Sequence, residues 1–142
     1  MNSEKIIFES YDHKYIENVI DLLQDVSNYR PLNSSDPSFS NSFLKQNNLY
    51  ALVALYKKEV IGFGSIFIFE RVRGGKSAIL EDIVVKNSFR YRKVGTQIIN
   101  ILIKYAATNK CFKISLESSE FSKNFYRKLG FVDKGNIMNK FL

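Results

Sequence analysis

The chain contains few of the residues that cross-link proteins or bind metal ions. Among its 142 residues there is one cysteine, Cys111, and one histidine, His13, and tryptophan is absent. A single cysteine cannot form a disulfide within the chain, and one histidine without a Cys/His cluster leaves no metal site of familiar spacing. No run of about 18 apolar residues occurs, and residues 1–10 lack the apolar stretch of a secretory signal. We therefore expect a soluble, cytoplasmic protein that binds no metal and no membrane.

Glycine and proline are also scarce, at 7 and 2 residues, whereas 45% of the chain is hydrophobic and 14% is aromatic. This composition excludes a collagen-like or disordered chain and is typical of a packed globular protein. A length of 142 residues is close to the commonest size of one domain. The sequence therefore predicts a single domain over residues 1–142.

The positive charge is concentrated in the second half of the chain. The net charge is +7, made up of −2 over residues 1–85 and +9 over residues 86–142. Such a basic half is either a solvated surface or a surface that faces an anion, such as a phosphorylated small molecule or a nucleic acid. No helix-turn-helix or RNA-binding signature is present, so we expect no nucleic-acid partner.

The spacing of the apolar residues predicts alternating strands and helices. Helices are predicted over 15–26, 94–107 and 120–129, and a short helix carrying Phe39 and Phe43 is predicted after a loop at 27–38. Strands are predicted over 5–9, 49–56, 60–69, 78–85 and 113–116, with two more starting at Phe131 and covering Ile137–Leu142. Early hairpins and later helical connections indicate an α/β domain with a mixed, mostly antiparallel sheet of six to seven strands flanked by about four helices.

The segment SFRYRKVGTQII at 88–99 follows a strand and opens a helix. Unpaired N–H groups and the positive end of the helix dipole make such a helix start suitable for phosphate. Arg90, Arg92 and Lys93 would add charge-assisted contacts. Alternatively, this is a basic loop in which Gly95 only permits close packing.

Glu81 and Asp82 interrupt an apolar strand. Adjacent strand residues point to opposite faces of a sheet, so we expect only one of the two carboxylates to be buried. A carboxylate here could bind a polar substrate or accept a proton through water, or it could pair with a lysine across the sheet.

Two further side chains could take part in chemistry. Tyr126 lies off the apolar face of its predicted helix, where a hydroxyl could donate a proton, although most tyrosines are packing residues. Nothing beside Cys111 argues for an activated thiolate, so we expect a core cysteine.

Four motifs together resemble the GNAT acetyltransferase superfamily, and within it the glucosamine 6-phosphate N-acetyltransferases. They are Glu81-Asp82-Ile83 in the strand ILEDIVV, Arg90 to Gly95 in the basic loop, Cys111 to Ile114 in CFKIS, and Phe125 to Phe131 in NFYRKLGF. The family typically shows an E-D-hydrophobic strand, an R/Q-G-x-G-x-G loop, a C-Y-K-I strand and an F-Y-x-K-x-G-F helix end. The likeness covers residues 78–142 well and the first half only in its order of elements.

The resemblance implies direct acetyl transfer from acetyl-CoA to an amine, without a nucleophilic residue and without a metal. It implies three catalytic residues, with Tyr126 protonating the coenzyme A thiolate, and Glu81 and Asp82 beside the amine. A backbone N–H near Ile83 would stabilise the oxyanion formed during transfer. The implied acetyl-CoA-binding residues are Ile83, Val84, Val85, Arg90, Tyr91, Arg92, Lys93, Val94, Gly95, Thr96 and Asn124.

The resemblance also implies that the amine belongs to an amino sugar phosphate, glucosamine 6-phosphate, on the route to UDP-N-acetylglucosamine. The implied substrate-binding residues are Ser27, Arg71, Arg73, Glu81, Asp82, Glu117 and Lys140. A homodimer is implied as well, with Ile137–Leu142 packing across its interface. Arg71 and Arg73 could instead be a solvated hairpin turn.

The chain departs from the family pattern at three positions. Tyr91 and Lys93 stand where the family usually has glycines, and residues with a side chain are strained at positive φ. The loop would avoid this strain if φ stays negative. Glu117 stands where the family often has a shorter Asp, which could shift the recognition of the amine.

Other functions remain open on the sequence. A GNAT enzyme that acetylates a polyamine, another small amine or a peptide N-terminus would use the same three carboxylates to attract a cation. A protein of a different class, a non-catalytic acyl-CoA-binding module, is compatible with the glycine-poor loop.

Overall fold

The computed structural model describes residues 5–26 and 42–142. Within these residues a five-stranded sheet forms the centre of the molecule, in the spatial order β1-β2-β3-β4-β5. Its strands are β1 Ile7–Ser10, β2 Leu49–Tyr56, β3 Glu59–Glu70, β4 Lys76–Val85 and β5 Cys111–Ser115. Neighbouring strands from β1 to β4 are antiparallel, and β5 lies parallel to β4. The mixed, mostly antiparallel sheet predicted from the sequence is confirmed.

Three α-helices lie wholly within the described residues: α1 Ile16–Leu23, α2 Val94–Thr108 and α3 Lys123–Lys128. Residues 42–44 are also helical. The connection from β4 to β5 runs through α2, because parallel neighbours need a crossover and cannot be joined by a tight turn. None of the helices in the described ranges is long and apolar enough to cross a membrane.

Each face of the sheet has its own hydrophobic core. Period-two alternation sends Leu52 and Ala54 of β2 to the face covered by α2, with Ile98 and Leu102, and sends Val53 to the face covered by α1, with Val19. Fully apolar strands are expected where both faces of a sheet are covered. The run LYALVALY is therefore explained by burial on both sides.

The prediction of six to seven strands is not confirmed. Neither the segment that starts at Phe131 nor Ile137–Leu142 forms a strand in this structure. Met138, Phe141 and Leu142 are almost fully exposed. A strand needs a neighbour for its N–H and C=O groups, and this segment has none within the described chain.

Candidate active site

An irregularity in β4 shapes the candidate site. Ser65 of β3 pairs with Glu81, but Phe63 pairs with Val84, so Gly64 faces two residues, Asp82 and Ile83. This is a β-bulge, in which the extra residue bends the strand and changes the side-chain alternation. Asp82 has φ of 55°, a left-handed conformation that aspartate tolerates better than most side chains.

The bulge brings both carboxylates to one cavity. Glu81 and Asp82 line a cavity of about 320 Å³ together with apolar residues, which are Phe43, Phe67, Phe69 and Ile79. The expectation that the two carboxylates lie on opposite faces is therefore wrong. It assumed regular alternation, and the bulge adds a residue at this point.

The carboxylates also influence each other electrostatically. Desolvation raises the pKa of Glu81, and the negative charges of Asp82 and Glu117 raise it further. Desolvation alone raises the pKa of Asp82. Glu117 is exposed and lies two residues beyond Ser115, which is paired with Ile79. The structure thus brings together the three acidic residues that were selected from the sequence, and a carboxyl with a raised pKa is a better proton acceptor near neutral pH.

One edge of β4 is open beside these carboxylates. β5 pairs with β4 only from Lys76 to Ile79, although β4 continues to Val85. From Leu80 onward, the edge that faces away from β3 has no strand partner among the described residues. An extended chain with amide groups could pair with this open edge, as added strands do.

The basic loop follows β4 directly and ends at the first turn of α2. Tyr91 and Lys93 have φ of 69° and 61°, so the alternative in which φ stays negative is wrong. The two residues follow the path for which the family uses glycine, at the energetic cost that a Cβ brings in that region. The guanidinium carbon of Arg92 lies 5.1 Å from the ring centroid of Phe89, a cation–π contact that holds this head group over the ring.

Helix α3 docks against the start of α2. A Cβ on Gly95 would lie 3.3 Å from Cζ of Phe125 and 3.6 Å from Cγ2 of Val85. Gly95 therefore permits close packing between the loop, the end of β4 and α3. The next residue of α3 is Tyr126, so its helix turn lies beside both the loop and the open edge.

Tyr126 is half-buried between the rings of Phe125 and Phe131, with centroids 5.1 and 5.7 Å away. Burial raises the pKa of its hydroxyl. The hydroxyl has no hydrogen-bond partner within residues 5–26 and 42–142. A phenol with a raised pKa remains protonated at neutral pH, so Tyr126 can act as a proton donor.

Arg71 lies at a second cavity next to the first. This cavity has about 260 Å³ and shares Phe69 and Ile79 with the carboxylate cavity; its other lining residues are Arg71, Ser77, Ala78 and Ser115. Nε of Arg71 donates to Oγ of Ser77 at 3.3 Å. The two cavities form a groove with three acids near one end and an arginine at the other.

Neither cavity of the groove is lined by Arg73, Lys140 or Asn124, which were also selected from the sequence. Arg73 is exposed in the turn after β3, and Lys140 is exposed in the C-terminal segment. Oδ1 of Asn124 accepts a hydrogen bond of 3.0 Å from Arg127, which also donates to Asp133 at 2.7 Å. Ser27 lies outside the described residues, as do the predicted loop at 27–38 and Phe39.

Two polar residues that pair with groove-lining residues escaped the sequence analysis. Lys113 of β5 pairs with Ser77, and paired strand residues share a face, so it lies beside the second cavity. Ser65 is 1% exposed, and its hydroxyl donates to the Glu81 carbonyl at 2.9 Å. The available signal for Ser65 was a single serine within the apolar run GFGSIFIF, opposite a strand that carries two acids.

The family assignment follows from comparison with known proteins. Residues 16–131 match the model of the Acetyltransferase (GNAT) family. This match spans most of the chain, and the protein belongs to the GNAT acetyltransferase family.

Individual relatives point to one group within that family. The chain is 35% identical over 107 residues to glucosamine 6-phosphate N-acetyltransferase 1 of Dictyostelium discoideum, covering 72% of this chain and 68% of the relative. It is 36% identical over 74 residues to the Trypanosoma brucei brucei glucosamine 6-phosphate N-acetyltransferase, covering 51% of this chain and 50% of the relative. The chain thus spans between half and about two thirds of the length of these curated relatives.

Solved structures share the fold. The crystal structure of glucosamine-6-phosphate N-acetyltransferase from Arabidopsis thaliana has a TM-score of 0.86 at 22% identity, covering 97% of this chain and 99% of that chain. A Trypanosoma brucei acetyltransferase has a TM-score of 0.87 at 23% identity, covering 97% and 100%. The architecture is therefore the GNAT fold.

Proposed function

We propose that this protein is an acetyl-CoA-dependent N-acetyltransferase that acetylates the amine of glucosamine 6-phosphate. The observation that carries the proposal is the similarity over residues 16–131 to the GNAT family and to relatives named for this reaction. The groove supports it further, because carboxylates near one end suit an ammonium group and Arg71 at the other end suits a phosphate.

The residues around the basic loop fit the coenzyme. The open edge of Ile83, Val84 and Val85 would pair with the amide-containing arm. The phosphates would lie at the helix start, against backbone N–H groups of the loop and the charges of its cations. The residues assigned to this role are Arg90, Tyr91, Arg92, Lys93, Val94, Gly95 and Thr96, with Asn124 beside the arm. The bound thioester supplies an activated acetyl group.

The three acids would bind and deprotonate the amine. An ammonium group in the cavity would be attracted by Glu81, Asp82 and Glu117, and it must lose a proton before it can attack. Glu81 is the preferred acceptor, directly or through water, because its raised pKa brings its basicity closer to that of the amine. Asp82 keeps the local potential negative.

Tyr126 would supply the proton at the other end of the reaction. It would donate its phenolic proton to the departing sulfur and regain a proton from solvent. Its half-buried place next to Phe125 and the loop supports this assignment, and burial, which raises its pKa, keeps the phenol protonated until the sulfur departs.

Cations near the second cavity would hold the sugar phosphate. Arg71 is the first candidate, because its guanidinium can form paired hydrogen bonds with phosphate oxygens. Arg73 and Lys140 are further candidates, and Ser27 is proposed to bind a sugar hydroxyl. Lys113 lies on the same face and would add a second charge.

The experiment is coenzyme A release from acetyl-CoA with four acceptors in parallel: glucosamine 6-phosphate, glucosamine, spermidine and a short peptide. We expect turnover with the phosphorylated sugar at the highest kcat/KM. Arg71→Gln should raise KM for glucosamine 6-phosphate and leave KM for glucosamine nearly unchanged. Lys104→Gln, which removes an exposed lysine of α2, is the matched control and should change neither value.

Two other outcomes of this experiment would each favour a different function. Turnover of spermidine or the peptide without turnover of the sugar phosphate would favour a different amine, which the cluster of three acids also suits. Acetyl-CoA binding by calorimetry without turnover of any acceptor would favour a non-catalytic acyl-CoA-binding module.

We also propose that the protein is a homodimer in which the C-terminal segment packs on a second copy. The exposed apolar residues of this segment, Ile137, Met138, Phe141 and Leu142, support the proposal, because apolar groups left in water favour association.

A further inference from the structure

A buried serine contacts the peptide unit that joins the two catalytic carboxylates. Ser65 lies within β3 at 1% exposure, and its Oγ donates to the carbonyl oxygen of Glu81 at 2.9 Å. The carbonyl of Glu81 and the N–H of Asp82 belong to one planar peptide group. A hydrogen bond to one end of this plane therefore fixes the orientation of both ends.

This contact falls at the bulge. The register of β3 and β4 changes directly after the pair Ser65 and Glu81, and a bulge leaves part of the ladder without its regular hydrogen bonds. Asp82 adopts φ of 55° there. A residue with a side chain keeps that conformation only when its surroundings enforce it.

We infer that Ser65 is a positioning residue that holds the Glu81–Asp82 peptide in the orientation that directs both carboxylates into the cavity. The inference rests on the proposed function of that cavity. Ser65 itself does not need to touch the substrate, because its single hydrogen bond acts on the strand that carries the acids. Without this bond, the bulge would keep its extra residue, but the Glu81–Asp82 peptide would be free to rotate and the two carboxylates would lose their fixed orientation toward the cavity.

The test compares three variants of the full chain. Ser65→Ala removes the hydroxyl, and Ser65→Thr retains one. Ile66→Val trims the neighbouring buried residue of β3 on the opposite face and does not touch the peptide. We expect Ser65→Ala to lower kcat with glucosamine 6-phosphate on the order of tenfold or more, since small misplacements of reacting groups have such effects. Ser65→Thr should recover most of the activity, and Ile66→Val should keep it.

A second measurement does not depend on turnover. Carboxyl ¹³C NMR titration of Glu81, which is faced by Asp82 and Glu117, should give a lower pKa in Ser65→Ala than in the wild type, because the carboxylate leaves the desolvating cavity. Ile66→Val should leave the titration unchanged. If Ser65→Ala leaves both kcat and the Glu81 titration as in the wild type, the inference is overturned.

The two measurements separate the two proposals. If the wild type acetylates none of the four acceptors but the Glu81 titration shifts in Ser65→Ala, the proposed function fails and the positioning by Ser65 stands. If Ser65→Thr or Ser65→Ala does not fold, Ser65→Cys provides a side chain of similar shape and a weaker donor. Ser65→Cys should then lower the pKa of Glu81 relative to the wild type, and an unshifted titration would contradict the inference.

Discussion

Glu81 ties the stability of the protein to pH. Its pKa is raised in the folded state by burial and by two neighbouring acids, so ionisation costs more in the folded chain than in the unfolded chain. A raised carboxyl pKa means that the folded chain holds the proton more tightly. This residue therefore favours folding at low pH, and its contribution is lost as the pH rises from the ordinary carboxyl pKa through the raised value.

The variant Glu81→Gln tests this sign. We expect it to raise the melting temperature at pH 7, where it removes an unfavourable charge, and to change it little at pH 4, where the carboxyl is largely protonated in both states. Thermal unfolding followed by circular dichroism at both pH values is the measurement. Glu120→Gln, at an exposed position paired with Lys123, is the control and should not raise the melting temperature at pH 7.

Tyr126 is the second residue whose environment sets its chemistry. Tyr126→Phe keeps the packing against Phe125 and removes only the hydroxyl. If the hydroxyl donates a proton during the reaction, kcat should fall about 10²-fold or more. Tyr105→Phe removes another hydroxyl, from a ring stacked 4.5 Å from Tyr50, and should leave kcat unchanged. Equal rates for both variants would make Tyr126 a packing residue.

At the scale of elements, two glycines allow α2 to approach the sheet. A Cβ on Gly64 would lie 2.6 Å from Cγ2 of Ile98 and 2.9 Å from Cδ1 of Ile83, whereas on Gly62 the nearest approach is 3.0 Å to Cδ1 of Ile98. Contacts below 3 Å require the helix or the bulge to move. The close packing of α2 on β3 therefore depends on the sequence GFG.

Gly64→Ala should destabilise the fold by about 1–3 kcal/mol, the usual cost of overpacking a core. Gly62→Ala is the matched variant. It should cost less, because its closest neighbour is the flexible end of a side chain. Urea unfolding gives both free energies, and an equal or reversed order would contradict the packing described for α2.

The basic loop contains strained residues that glycine would relieve. Lys93 has φ of 61°, which costs a residue with a Cβ about 1–2 kcal/mol. Lys93→Gly and Lys93→Ala remove the same charge and differ mainly in this backbone cost. We expect Lys93→Gly to be more stable than Lys93→Ala by about 1 kcal/mol in urea unfolding. Glycine removes the backbone strain of positive φ, but part of this gain is offset because glycine also gives the unfolded chain more conformational freedom. Indistinguishable variants would show that the loop is not held at positive φ.

At the scale of the whole molecule, charge and exposed apolar surface are both unevenly distributed. The excess of positive charge follows β4 in the sequence, and the basic loop holds several of these cations beside the open edge. The C-terminal segment exposes apolar side chains instead of burying them in the monomer. The first feature suits an anionic substrate, and the second suits a partner surface.

Removal of residues 137–142 tests the proposed dimer. Analytical ultracentrifugation of the full chain should give twice the chain mass of 16.4 kDa, and the shortened chain should give the chain mass itself. The paired substitutions Met138→Ser and Phe141→Ser should weaken association in the same direction. Substitution of the exposed Ile7 by serine is the control and should leave the mass unchanged. A full chain that sediments as a monomer up to high concentration would contradict the proposal.

The sequence was sufficient for the fold class and for the identity of the acids. The spacing of apolar residues predicted α2, the hairpin of β2 and β3 and the strand that carries Glu81 and Asp82. A helix or strand that is buried on one face or on both shows this burial in the spacing of its apolar residues. Four short motifs, read together, predicted the GNAT family, which the family match confirms.

Only the tertiary structure decided how these parts meet. The bulge at Asp82, the contact of Ser65 with the Glu81 carbonyl and the open edge of β4 each depend on strand register. Register is fixed by pairing between residues far apart in the chain, and one extra residue redirects every later side chain of a strand. The sequence therefore determined which groups are available, and the paired strands determined that two carboxylates share one cavity.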